Sequence, residues 1–180
     1  MADRVPCLIL IYRVPGEPTR LRATVWRRLK AAGAVYLANS VAALSASPAA
    51  ECALRGLRNA IGEMGGSAQL LRAEAFAGQA DVVAAFNAAR DEEYMEIINR
   101  CRDFLAKIET DTAAGLFTYA ELEENGEDLA KLGAWLEKAC ARDTFGAAQT
   151  APAVSALAKC REALDGFADR VYGEEENARK

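Results

Sequence analysis

CLILIYRVPGEPTRLRATVWRRLKAAGAVYLANSVAALSASP, residues 7–48, decides the fold. Residues 7–14 form a compact apolar run rich in branched and aromatic side chains, which is the pattern of a strand, and Pro15-Gly16-Glu17-Pro18 ends it in a turn. Pro18 suits the first turn of a helix, where its missing N–H is no loss, and the run from Thr19 continues as helix to Gly33. At 100° per residue Leu21, Val25, Leu29 and Ala32 share one face, with Arg20, Arg27 and Lys30 roughly opposite. One side of this helix packs and the other is a cationic stripe. After Gly33 the segments 34–38 and 41–46 read as two short strands bent at Asn39-Ser40. Ser47 then supplies an N-cap and Pro48 a first-turn proline.

Working outward, Leu54, Leu57, Ile61 and Met64 keep helical spacing until Gly65-Gly66, and AQLLRAEAF at 68–76 is a last strand before Gly78. The order β-α-β-β-α-β is the split βαβ arrangement of ferredoxin-like domains. From Asp81 to about Glu109, Val83, Phe86, Tyr94, Ile97, Ile98, Cys101, Leu105 and Ile108 predict one long helix. Thr118-Tyr119-Ala120-Glu121 reads as a capping box, with Phe117 and Leu122 as its hydrophobic staple. Leu129, Leu132, Leu136 and Cys140 carry that helix's buried stripe, and Arg142-Asp143-Thr144-Phe145-Gly146 ends it. A final helix from Pro152 to Tyr172 is expected to bury Val154, Leu157, Leu164, Phe167 and Val171. The expected class is therefore α+β: a ferredoxin-like domain at 1–78 with a basic first helix, a three-helix extension at 79–173, and a frayed tail at 174–180.

Composition removes much chemistry. The chain has 180 residues and no histidine, which excludes Ser-His-Asp and Cys-His nucleophile pairs and His-containing zinc sites. Its five cysteines, Cys7, Cys52, Cys101, Cys140 and Cys160, stand at least twenty residues apart; no CxxC exists, and they read as reduced core residues of a cytoplasmic protein. The apolar stretch at 7–12 is too short for a secretory h-region or a bilayer span, so no membrane partner is expected. The formal net charge of -4 hides an asymmetry. Residues 1–30 hold Arg4, Arg13, Arg20, Arg22, Arg27, Arg28 and Lys30 against Asp3 and Glu17, a net of +5, and the remainder carries -9. Such a split points to an anionic partner for the N-terminal part, or to basic surface docked on acidic surface.

The segment from Ile11 to Leu44, with FTYAELEENGEDLAKLGAWLEKACARDTFGA at 117–147 and ALAKCREALDGFADRVY at 156–172, resembles the N-terminal domain of the chromate-resistance regulator ChrB family across essentially the whole chain. The ELEEN and RDxFG strings are the specific part of that resemblance. More distantly, the strand and arginine-rich helix resemble the ferredoxin-like domain of phenylacetate-pathway repressors and the small nuclease-like subunit of CRISPR adaptation complexes. That nuclease-like family places an Asp just after the first strand's Tyr, where this chain has Arg13 after Tyr12, so metal-dependent cleavage is not carried over.

The ChrB resemblance implies a non-enzymatic transcriptional regulator of chromate efflux that binds operator DNA, responds to chromate and needs no cofactor or metal. Full-length members carry a second, C-terminal domain, and this chain is expected to stop after the first. The expected DNA-binding residues are Arg20, Arg22, Arg27, Arg28 and Lys30, which neutralise phosphates, while Trp26 at the border packs or stacks. Arg13, Thr19 and Arg20 are expected to surround a tetrahedral anion such as chromate or sulfate, the competing reading being a local Arg13–Glu17 pair. Glu121, Glu123, Glu124, Glu127 and Asp128 read as an exposed helix start rather than a metal cluster, and Tyr12, Tyr36 and Trp135 as core or packing residues. A homodimer is expected. The alternative function is an interaction module that complements a separately encoded C-terminal domain and binds no DNA.

Overall fold

A computed structural model describes residues 6–75 and 77–178, with side chains described to residue 176. Residues 1–5 and 179–180, parts of the expected domain and tail, and Phe76, the expected end of the strand at 68–76, lie outside the described residues. The elements are β1 (Pro6–Arg13), α1 (Arg20–Ala32), β2 (Val35–Ala38), β3 (Val41–Ser45), α2 (Pro48–Glu63), β4 (Ser67–Glu74), α3 (Gln79–Ala113), α4 (Tyr119–Arg142) and α5 (Thr150–Ala178). The class is α+β, with a four-stranded sheet in the order β2-β3-β1-β4 and every neighbouring pair antiparallel.

The chain divides into two compact units, residues 1–89 and 90–180, and α3 contributes its first eleven residues to one and the rest to the other. In the first unit β1 lies between β3 and β4, with Leu10 opposite both Ala42 and Leu70. Leu8, Leu10, Ala42 and Leu44 form one sheet face, and Val25 and Leu29 of α1 with Leu54, Leu57 and Ile61 of α2 close over it. The alanine in β3, an obstacle to reading a strand from propensity, leaves room for large helix side chains at this face.

Caps fix the helix ends. The Ser47 hydroxyl accepts from the Ala50 N–H at 3.1 Å and starts α2 beside Pro48. Gly33 and Gly65 take left-handed φ values of 83° and 78°, and the residue after each donates back to the carbonyl five positions earlier, Ala34 to Leu29 at 3.0 Å and Gly66 to Ile61 at 2.9 Å. Both helices thus close in the Schellman manner that a side chain beyond Gly disfavours.

In the second unit Tyr94, Ile97, Cys101, Phe104 and Ile108 of α3 pack with Leu136 and Ala139 of α4 and with Ala153, Leu157, Cys160, Phe167 and Val171 of α5. Four expectations are corrected. Val154 is 50% exposed, because α5 starts at Thr150 and its buried row runs through Ala153 and Leu157 instead. The same helix continues past Tyr172 through the expected tail to Ala178, held by an edge-on contact of Tyr172 with Tyr119 at 5.8 Å and a Tyr119–Glu175 hydrogen bond. The capping box is half formed: Thr118 Oγ1 accepts from the Glu121 N–H at 3.2 Å, but the Thr118 N–H is taken by the Leu116 carbonyl and the Glu121 carboxylate turns to Lys107, 4.0 Å away. Phe117 and Leu122 do pack against the same core, as a staple should. Cys52 is also a correction, being exposed on α2, whereas Cys7, Cys101 and Cys160 are buried and Cys140 is partly so. Among the described residues no helix is long and apolar enough to cross a membrane.

Candidate nucleic-acid interface

α1 is built from a narrow apolar stripe and a broad basic surface. Only Val25 and Leu29 are fully buried in it, at four-residue spacing, and the packing of these two against β1 and α2 sets which way the rest points. Arg20, Arg22, Trp26, Arg27, Arg28 and Lys30 are all exposed. Measured from Val25 at 100° per residue, Trp26, Lys30, Arg27 and Arg20 fall within an arc of roughly 120° on the outer side. Arg28 lies on the opposite flank, and Arg22 lies close to the buried stripe with its guanidinium donating to the Gly16 carbonyl at 3.0 Å. The five proposed contacts therefore do not form one patch: Arg20, Arg27 and Lys30 share a surface with Trp26, and Arg22 and Arg28 flank it.

Among the described residues Arg13, Arg20, Arg22, Arg27, Arg28 and Lys30 form no ion pair, whereas Arg55 and Arg72 of the same unit both engage Glu51. Arg27 donates to Thr24 Oγ1 at 3.4 Å, Thr24 donates to the Arg20 carbonyl at 2.9 Å, and the Lys30 ammonium sits 5.3 Å from the centre of the Trp26 ring. The first turn of α1 holds Arg20 and Arg22 and no acidic residue. That end of a helix carries the positive pole of its dipole, so two arginines there raise the energy of the unliganded protein and favour a bound anion.

Arg13 is exposed at the end of β1, opposite Ser67 of β4, and Thr19 stands directly before α1 in helical backbone geometry with no side-chain cap bond. The Leu21 N–H is already bonded to the Pro18 carbonyl at 3.0 Å, which removes one donor from the expected anion cradle. Arg13 and Glu17 are not paired. Tyr12 and Tyr36 join hydroxyl to hydroxyl at 3.0 Å; Tyr36 is 41% exposed and so is a surface residue rather than a core one, with burial and the bond to Tyr12 pushing its phenol upward.

The acidic run on α4 is a surface of ion pairs, Lys107 with Glu124 at 2.7 Å and Lys131 with Asp128 at 2.9 Å. A different polar cluster was not anticipated. The Glu93 carboxylate accepts from Arg90 at 2.7 Å, from Trp135 Nε1 at 3.0 Å and from Arg142, with the Arg90 side chain 7% exposed. Its signal was present in the sequence, since Arg90 interrupts the row Phe86, Tyr94, Ile97 at a position where an apolar residue is expected.

The two specific strings have structural roles in the second unit. Asn125 of ELEEN is wholly buried and donates to Asp111 at 3.3 Å. Asp143 of the RDTFG string accepts from Thr150 Oγ1 at 2.7 Å, from the Gly146 and Ala147 N–H groups at 3.0 and 3.1 Å and from Tyr94 at 3.2 Å. Burial pushes that carboxyl up, and these hydrogen bonds outweigh it, holding Asp143 below the ordinary carboxylate range.

A family model described as "Protein ChrB, N-terminal" matches residues 22–178, from the first turn of α1 to the end of α5. No curated protein and no solved structure matches the chain.

Proposed function

Because the chain belongs to the ChrB N-terminal family, we propose that it is the DNA-contacting part of a transcriptional regulator of chromate resistance, non-enzymatic and working in the cytoplasm. The observation that carries this reading is the outer surface of α1, where Arg20, Arg27 and Lys30 stand together without a carboxylate partner among the described residues and two arginines crowd the positive end of the helix dipole. The β2-β3-β1-β4 order of an antiparallel βαββαβ unit supports assigning the first unit to the ferredoxin-like class. In this reading Arg22 and Arg28 reach phosphates on either flank, and Arg13, Thr19 and Arg20 hold an oxyanion, a phosphate of the DNA or free chromate or sulfate. The protein acts as a homodimer, which the exposed apolar Ile11 and Leu71, on the sheet face away from α1 and α2, support.

A gel-shift series in rising salt tests the reading. Five phosphate contacts through Arg20, Arg22, Arg27, Arg28 and Lys30 give a log-log slope of about -4.5, and the double variant Arg27→Ala, Lys30→Ala reduces its magnitude by about 1.8. Absence of any shift at low salt overturns it in favour of an interaction module that complements a separate C-terminal domain.

A further inference from the structure

Trp26 is the one large apolar side chain on the outer face of α1, 49% exposed between cationic neighbours. A solvated basic face does not require an indole, and a tryptophan that only packed would be more deeply buried; leaving half of so large an apolar surface in water forgoes the stabilisation its burial would supply. Its setting is specific. Lys30 follows by four residues and its ammonium stands 5.3 Å from the ring centre, and Ala23, three residues before, is too small to cover the indole. Arg27 lies beside it, with its guanidinium turned along the helix to Thr24. Phosphate contacts alone need only the cations. An exposed aromatic ring among them adds what proteins use to hold bases that have left the duplex stack: a flat surface beside a positively charged track.

We infer that α1 holds single-stranded or locally opened DNA, with Trp26 as the platform on which an unpaired base stacks and Lys30, Arg27 and Arg20 holding the adjoining phosphates. The inference rests on the DNA-binding reading above and narrows its substrate to DNA with at least one unstacked base. The competing occupant of such a surface is a protein, because Trp and Arg are also the residues on which protein interfaces depend. The lack of carboxylate partners along this face among the described residues, and the arginines at the helix start, favour a polyanion.

The experiment uses the full chain with a twelve-nucleotide thymidine oligomer and, separately, a duplex of equal phosphate number at low salt, followed by fluorescence anisotropy of the labelled DNA and by intrinsic tryptophan emission. The chain has two tryptophans, Trp26 and Trp135. Single-stranded DNA is expected to quench emission in the unsubstituted chain and not in Trp26→Phe, which keeps the stacking surface and most of the affinity. Trp26→Ala is expected to weaken single-strand binding about 5- to 150-fold, as loss of one base–aromatic stack does, and duplex binding by less than threefold. Equal losses on both DNAs, or binding without quenching, overturn the stacking inference and leave the DNA-binding reading standing. Binding to neither DNA overturns both. A Trp26→Ala chain that changes sedimentation behaviour while binding both DNAs normally overturns the inference in favour of a protein contact. Since Trp26 lies outside the buried set, unchanged far-UV circular dichroism of the variants is expected and checks that they fold.

Discussion

Glu93→Gln is expected to destabilise the second unit by about 3 kcal/mol, at the lower end of the 3–5 kcal/mol typical for breaking a buried ion pair. The geometry sets both the size and the position in that range. The carboxylate carries Arg90 and Arg142 with side-chain exposures of 7%, 22% and 17% for Arg90, Arg142 and Glu93, so removing one negative charge leaves two poorly solvated guanidiniums. The glutamine amide also points a donor at a donor. Two features hold the loss down: the amide oxygen still accepts from Trp135, and the Asp143 carboxylate continues to stabilise the Arg90 charge. For a chain of this length a urea m-value near the upper part of the usual 1–3 kcal/mol/M range converts 3 kcal/mol into a midpoint shift of about 1 M. Equilibrium urea unfolding followed by helical circular dichroism reads that shift. Lys131→Ala, which breaks exposed contacts to Glu127 and Asp128, is the comparison and should leave the midpoint in place. Adding Arg142→Gln to Glu93→Gln should cost less than the two single losses combined, because one orphaned charge disappears with its partner. A Glu93→Gln midpoint indistinguishable from that of Lys131→Ala would refute the account of a poorly solvated, mutually dependent cluster.

Two glycines predict opposite signs. A Cβ on Gly66 would stand 2.4 Å from the Arg13 carbonyl oxygen and 2.9 Å from Ile61 Cγ2, so Gly66→Ala should lose about 2 kcal/mol or more by separating the end of β1 from α2, whereas Gly62→Ala, open on the surface of α2, should gain up to about 1 kcal/mol; thermal unfolding distinguishes them. Asp143 has a folded pKa held below its ordinary value of 3.8, so its contribution is complete above about pH 5 and is lost as pH falls through the folded value. Acid unfolding of Asp143→Asn should accordingly show a shallower pH dependence below about pH 4 than the unsubstituted chain. Thiol titration at pH 8 should find Cys52 reacting first, and Cys7, Cys101 and Cys160 reacting only on unfolding, since they are buried and burial raises all three thiols, Cys160 to about 12.

The first unit was legible because its boundaries are written in residues with one meaning each. Pro15 to Pro18 stops a strand and starts a helix, Ser47-Pro48 caps α2, and Gly33 and Gly65 end their helices in a conformation that favours glycine. The second unit was legible as helices, but their lengths were not, since apolar spacing reports the buried face and says nothing of polar turns held by side chains. The last turns of α5 persist through Tyr119, a residue more than fifty positions away. The basic stripe of α1 could be read from periodicity alone, yet its division into one shared surface and two flanking arginines depended on where Val25 and Leu29 seat the helix. Of the Glu93 cluster only Arg90 stands out in its own helix, and nothing in the sequence names its partners; only the fold brings residues 90, 93, 135 and 142 together.

The continuity of α3 also restricts how this family can change in length. Between Arg90 and Ala113, within the second unit, an inserted residue would rotate the helix beyond it by about 100° and advance it by about 1.5 Å. Either Tyr94 and Ile97 or Cys101, Phe104 and Ile108 would then leave the core they share. Insertions and deletions among relatives should therefore collect in the turns at 14–19, 114–118 and 143–149, and along this part of α3 they should be tolerated only in multiples near seven residues, which restore the face.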